Sequence, residues 1–100
     1  MKEKHRLIVY DIRDTKRLAK VSKCIESYAW RVQKSVFESF TTDETTEQLK
    51  RKLKKIIDEE EDFILFFELC ERDFQKKQVL GKQEKQTGSR KIIDEQFAIL

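Results

Sequence analysis

The chain switches between two hydrophobic periods. Leu7-Ile8-Val9-Tyr10-Asp11-Ile12 is a continuous run of β-branched and aromatic residues, too short for a helix and apolar on both faces. That pattern predicts a central strand, covered or paired on both sides. From Asp14 the period changes: Leu18, Val21, Ile25, Tyr28 and Ala29 fall at helical spacing, and Asp14 or Thr15 supplies the N-cap. Lys16, Arg17, Lys20 and Lys23 stay off this apolar stripe. Trp30 to Phe40 returns to period two, with Trp30, Val32, Val36 and Phe40 on one face and Arg31, Gln33, Ser35 and Phe37 on the other. The second face is polar except for Phe37, which turns it toward solvent, a ligand or another subunit.

Thr41 to Thr46 reads as a turn rich in capping groups, with Thr41-x-x-Glu44 and Thr45-x-x-Gln48 as capping boxes. The helix behind it carries Leu49, Leu53, Ile56 and Ile57 as its stripe. The acidic run Glu59-Glu60-Glu61-Asp62 opposes the macrodipole at a helix C-terminus, so the helix is expected to stop near Asp58. Phe63 to Cys70 is the strongest strand signal, and Gln78-Val79-Leu80 offers a short strand before Gly81. Residues 1–80 thus read as one globular domain, 81–91 as a flexible linker, and 92–100 as an apolar segment that docks on a sheet edge or a partner. Strand, helix, strand, helix, strand is the order of a sandwich with its helices on one face of a small sheet. The other face is left for a partner.

Composition narrows this picture mainly by exclusion. One hundred residues make a single small domain, and the ten aromatics, seven of them Phe, argue against disorder. There is no Pro, and glycine occurs only at Gly81 and Gly88, which excludes collagen-like folds and the clustered glycines of nucleotide-binding loops. No apolar window approaches membrane-spanning length, and no small-residue cleavage site follows the N-terminal apolar run. Cys24 and Cys70 are too few for a zinc site or a disulfide framework, so a reducing cytoplasm is expected, with both thiols at the core edge. The net charge of +3 conceals a division: +6 over residues 1–34, −6 over 35–75 and +3 over 76–100. Phosphate contacts therefore belong to the first third and the tail, and should be salt-sensitive.

Few residues can carry chemistry. Asp11 ends an otherwise apolar strand, where an ionised carboxylate needs a partner, a turn to cap or a metal. Asp14 and Thr15 already offer capping groups. As a ligand Asp11 stands alone, so a metal reading requires two copies of it across a two-fold axis. His5, the only histidine, lies on a frayed-looking N-terminus. Lys50-Arg51-Lys52 and Lys54-Lys55 read as the solvated face of a helix, and Phe63, Phe66 and Phe67 as core.

Leu7-Ile8-Val9-Tyr10-Asp11-Ile12, Asp14, Lys16-Arg17, the run Arg31-Val32-Gln33-Lys34-Ser35-Val36-Phe37-Glu38 and Val79-Leu80-Gly81 together resemble the small Cas2 family of CRISPR-associated proteins. The resemblance covers roughly residues 6–81. It implies an α+β, ferredoxin-like βαββαβ fold that dimerises through its open sheet face, with an additional C-terminal strand given to the partner subunit. It implies that Asp11 meets its symmetry mate and holds one Mg²⁺ ion as the catalytic and metal residue. Arg17 and Arg31 would contact nucleic-acid phosphates, and Ser35 and Phe37 would line the dimer cleft. The family divides the middle strand in two, a division not visible here because Gln33 to Ser35 contains no turn residue. Ala29 stands where family members often have Gly.

The implied activity is that of a Mg²⁺-dependent endoribonuclease or DNase working with the Cas1 integrase in spacer acquisition. Two other readings fit the same residues. One is a non-catalytic architectural adaptor of the spacer-integration complex; the other is a toxin ribonuclease of the virulence-associated D type.

Overall fold

The apolar run at residues 7–11 lies in an inner strand of a four-stranded sheet, with Ile12 just beyond its end. The computed structural model describes residues 2–76, 78, 80 and 81. In chain order these form β1 (Lys4–Asp11), α1 (Thr15–Glu26), β2 (Trp30–Gln33), β3 (Val36–Thr41), α2 (Asp43–Lys54), β4 (Phe63–Leu69) and the short α3 (Glu71–Gln75). The strands lie in the order β2-β3-β1-β4, every neighbouring pair antiparallel. This is the ferredoxin-like topology, and β1 is paired on both sides as its sequence requires.

Alternation along β1 decides what the sheet covers. Ile8 and Tyr10 join Ile12, Phe37, Val21 and Ile25 of α1, and Leu49 and Leu53 of α2 in one buried cluster. Both long helices therefore pack on the same face. At roughly 1.5–3 kcal/mol for each large apolar side chain withdrawn from water, this layer dominates the stability of the chain. Asp14 caps α1, its Oδ2 accepting the Arg17 backbone N–H at 2.9 Å. At the other end of the sheet, Arg6, only 7% exposed, donates to Thr46 Oγ1 at 2.9 Å and pairs with Asp43, fastening the start of α2 to β1.

Several expectations change. Thr42 caps α2, accepting from the Thr45 backbone N–H at 3.2 Å, in place of Thr41 or Thr45. The helix ends at Lys54, before Asp58, and Ile56 and Ile57 reach the core from the turn that follows. The middle strand is two strands, β2 and β3, joined by a tight turn at Lys34-Ser35, with a register shift between Arg31 and Gln33. Arg31 and Phe37 share one face as expected, but it is the face that the helices cover. Phe37 sits opposite the core residue Ile8 and is fully buried under the helices, so it does not line a cleft on the open face. Val36, opposite Val9, takes the uncovered face instead.

Phe66 packs against the core, but Phe63 and Phe67 are 47% and 48% exposed. His5 is not frayed: it lies within β1 and stacks on Phe40 with ring centroids 4.4 Å apart. Cys24 packs at the core edge as expected, whereas Cys70 is exposed. Gln78 and Leu80 belong to no strand. Val79, most of the expected linker and the whole docking segment 92–100 lie outside the described residues.

Candidate functional site

The residues singled out by sequence gather at one end of the sheet, where β1 finishes, the β2–β3 turn reverses and β4 begins. Asp11 is the last residue of β1, exposed, and directly opposite Phe63. Alternation places it on the uncovered face with Leu7 and Val9, whose partners across β4 are Phe67 and Leu65. No hydrogen bond or ion pair joins its carboxylate to another described residue. It caps nothing, because Asp14 performs that role for α1.

Arg17, in the first turn of α1, is held by its own chain. Its Nε donates to Asp62 Oδ2 at 2.8 Å, and its Nη2 donates to Asp62 Oδ1 and Glu61 Oε1, each at 3.2 Å. The Asp62 side chain is completely buried and also accepts the backbone N–H groups of Arg13 and Asp58, each at 2.9 Å. Its hydrogen bonds from Arg17, and then those from the two backbone amides, hold the Asp62 carboxyl well below the usual carboxylate range despite its burial. The same Asp62 contact raises the pKa of the Arg17 guanidinium. Asp62 thus ties the loop after β1 to the loop before β4, and with them the backbone on either side of Asp11 and Phe63. Sequence reasoning missed it, since the last member of an acidic run resembles its solvated neighbours.

Arg31 lies on the covered side. Its guanidinium donates to the Lys34 carbonyl and, at 3.0 Å, to Glu26 Oε2, and stacks 4.7 Å from the Phe37 ring centroid. The Tyr10 hydroxyl donates to the same Lys34 carbonyl at 3.1 Å, while the Ser35 carbonyl accepts the Tyr10 backbone N–H at 3.2 Å. Arg31 and Tyr10 therefore build the turn that presents Ser35 beside the end of β1. The structure brings Asp11, Arg17 and Ser35 to one end of the sheet, with Arg31 bracing the turn and Phe37 in the core beneath.

One carboxylate is a poor cation site. Among the described residues no cluster of three or more His, Cys, Asp or Glu side chains can hold a metal ion. Oxygen ligands suit Mg²⁺, which retains several waters and takes one or two carboxylates. Asp11 alone would be a weak ligand for such an ion, and a second carboxylate from outside the chain would make the donor set a better fit. No helix among the described residues is long and apolar enough to cross a membrane.

An antiparallel ferredoxin-like sheet, covered by helices on one face and apolar on the other, with an exposed carboxylate at the end of its inner strand, defines the class. Within that class the chain belongs to the CRISPR-associated Cas2 family, whose model, described as CRISPR associated protein Cas2, matches residues 4–77. A relative from Thermodesulfovibrio yellowstonii, named CRISPR-associated endoribonuclease Cas2 3, is 37% identical over 83 residues, covering 83% of this chain and 93% of the relative. The crystal structure of Streptococcus pyogenes Cas2 at pH 6.5 is similar with a TM-score of 0.68 and 36% identity, covering 77% of this chain and 99% of that one. A chain of a partial Cas6-RT-Cas1–Cas2 complex is similar with a TM-score of 0.67 and 35% identity, covering 86% of this chain and 95% of that one.

Proposed function

We propose that two copies of this chain join through the uncovered sheet face and act in the cytoplasm as a Mg²⁺-dependent endonuclease on RNA or DNA, alongside the Cas1 integrase in spacer acquisition. The observation that carries this reading is the position of Asp11. It is an exposed carboxylate with no hydrogen bond or ion pair among the described residues, at the edge of an apolar face that includes the half-exposed Phe63, Leu65 and Phe67. A two-fold pairing across that face supplies the second carboxylate that a Mg²⁺ ion needs. When bound there, such an ion neutralises charge on a phosphodiester and lowers the pKa of a bound water. Asp11 would hold the ion, and Arg17, oriented by Asp62, would contact a phosphate. Arg31 would be a second phosphate contact besides bracing the Ser35 turn. The relative named an endoribonuclease supports the activity, and the similar chain in a complex containing Cas1 supports the partnership.

The test is cleavage of labelled RNA and DNA with and without Mg²⁺. Asp11→Ala should lose about 100-fold or more of the Mg²⁺-dependent rate, in the range seen when one charge-stabilising group is removed. Its melting temperature should be unchanged. Cleavage at the wild-type rate would contradict a catalytic Asp11.

One observation favours the architectural reading: both candidate phosphate-binding arginines are already engaged with carboxylates of this chain. Under that reading Asp11→Ala supports spacer integration at the wild-type level. The family match leaves the toxin ribonuclease reading without support.

A further inference from the structure

Two carboxylates hold Arg17, and they differ in kind. The Asp62 side chain is 0% exposed and accepts four hydrogen bonds, from Arg17 Nε and Nη2 and from the Arg13 and Asp58 backbone amides. Moving it would strand two backbone donors in addition to a buried charge, so it stays in place. Glu61 is 59% exposed and takes a single hydrogen bond, from the Nη2 that Asp62 also uses. Among the described residues that is the only hydrogen bond or ion pair of the Glu61 side chain, and an exposed pair of this sort is weak.

We infer that Glu61 is an internal phosphate surrogate: it occupies the outer side of the Arg17 guanidinium and is exchanged for a nucleic-acid phosphate on binding. This rests on the nucleic-acid reading given above and adds a specificity-determining residue to it. Asp62 presets the plane and direction of the guanidinium and already offsets much of its charge. Glu61 fills the remaining acceptor position, with Glu59 and Glu60 extending the negative field beside it. An isolated or weakly held phosphate does not displace it. A strand already anchored at neighbouring phosphates does, because the local concentration of its next phosphate is high. The exchange takes place on the first turn of α1, just beyond the loop that begins at Asp11, so it couples strand engagement to the site.

The experiment is fluorescence anisotropy with a fluorescein-labelled single-stranded RNA and a labelled DNA duplex, in Mg²⁺-free buffer over a salt series. Glu61→Gln should bind about two- to fivefold tighter at low salt, the size expected from removing an exposed competing ion pair. The gain should shrink as salt rises. It should vanish when Arg17→Ala is also present. Glu60→Gln makes the same charge change without touching Arg17, and should gain clearly less. A Glu61→Gln protein that binds no tighter than Glu60→Gln overturns the inference, as does a gain that survives Arg17→Ala; either result leaves the nucleic-acid reading intact. Failure of the wild-type protein to bind both probes overturns that reading and the inference with it.

Discussion

The two faces of the sheet have similar side chains and opposite fates. On the covered face Ile8, Tyr10 and Phe37 are 1%, 3% and 0% exposed; on the other, Phe63, Leu65 and Phe67 remain 46–48% exposed. β1 and β4 contribute to both faces, so residue type alone does not separate them. The helices do: α1 and α2 complete the first face within one chain, and nothing among the described residues completes the second. An apolar face left half-wet fits the pairing of two copies proposed above. Covering the rest of each of those three side chains would contribute about 1 kcal/mol apiece. Asp11, at the margin of the unfinished face, gains a second carboxylate only from whatever finishes it.

Changes on the two faces should therefore be read by different instruments. Phe37→Ala, a core deletion, should cost about 3–5 kcal/mol and lower the melting temperature at every protein concentration. Phe67→Asp on the open face should leave the fold nearly as stable, while weakening self-association by roughly 30-fold in sedimentation velocity, from lost apolar burial of about 1 kcal/mol in each copy. An equal loss of monomer stability in both variants would erase the distinction between the faces.

Asp62→Asn tests the end of the sheet that both faces share. The Asp62 carboxyl lies well below the usual range in the fold, so its stabilisation is complete above the unfolded value near ~4 and is lost as pH falls further. The variant should melt lower than wild type at pH ~7, and the gap should close under strong acid as the wild-type carboxyl is protonated. A gap that widens on acidification would contradict the assigned ion pair. The smallest effect belongs to Thr42→Ala, which removes the α2 cap and should cost about 1 kcal/mol without altering association.

Much of this is legible in the amino-acid sequence. The doubly apolar run 7–12 could only be an inner strand, and helical spacing with Asp14 ahead of it fixed the start of α1. The split into β2 and β3 was not legible, because Lys34-Ser35 is not a pair that turns by its own preference. The turn is held from outside, by Tyr10 and Arg31 on the Lys34 carbonyl and by the Tyr10 amide on Ser35. Arg31 and Phe37 share a face, as the alternation predicts, but that face is the one α1 and α2 cover, so Phe37 lies in the core and not on the open face. The site shows the same limit. Asp11 stood out because a carboxylate is foreign to an apolar strand. Asp62 did not, because only tertiary packing separates it from the three glutamates before it.

On the function proposed above, Asp11 becomes a metal site only when two copies meet. Isothermal titration of the wild-type protein with Mg²⁺, or with Mn²⁺ as a tighter-binding stand-in, measures that claim as a stoichiometry. One ion for every two chains is predicted, abolished by Asp11→Ala and weakened by Phe67→Asp through loss of the pairing. One ion per chain, or binding that survives Asp11→Ala, would contradict it.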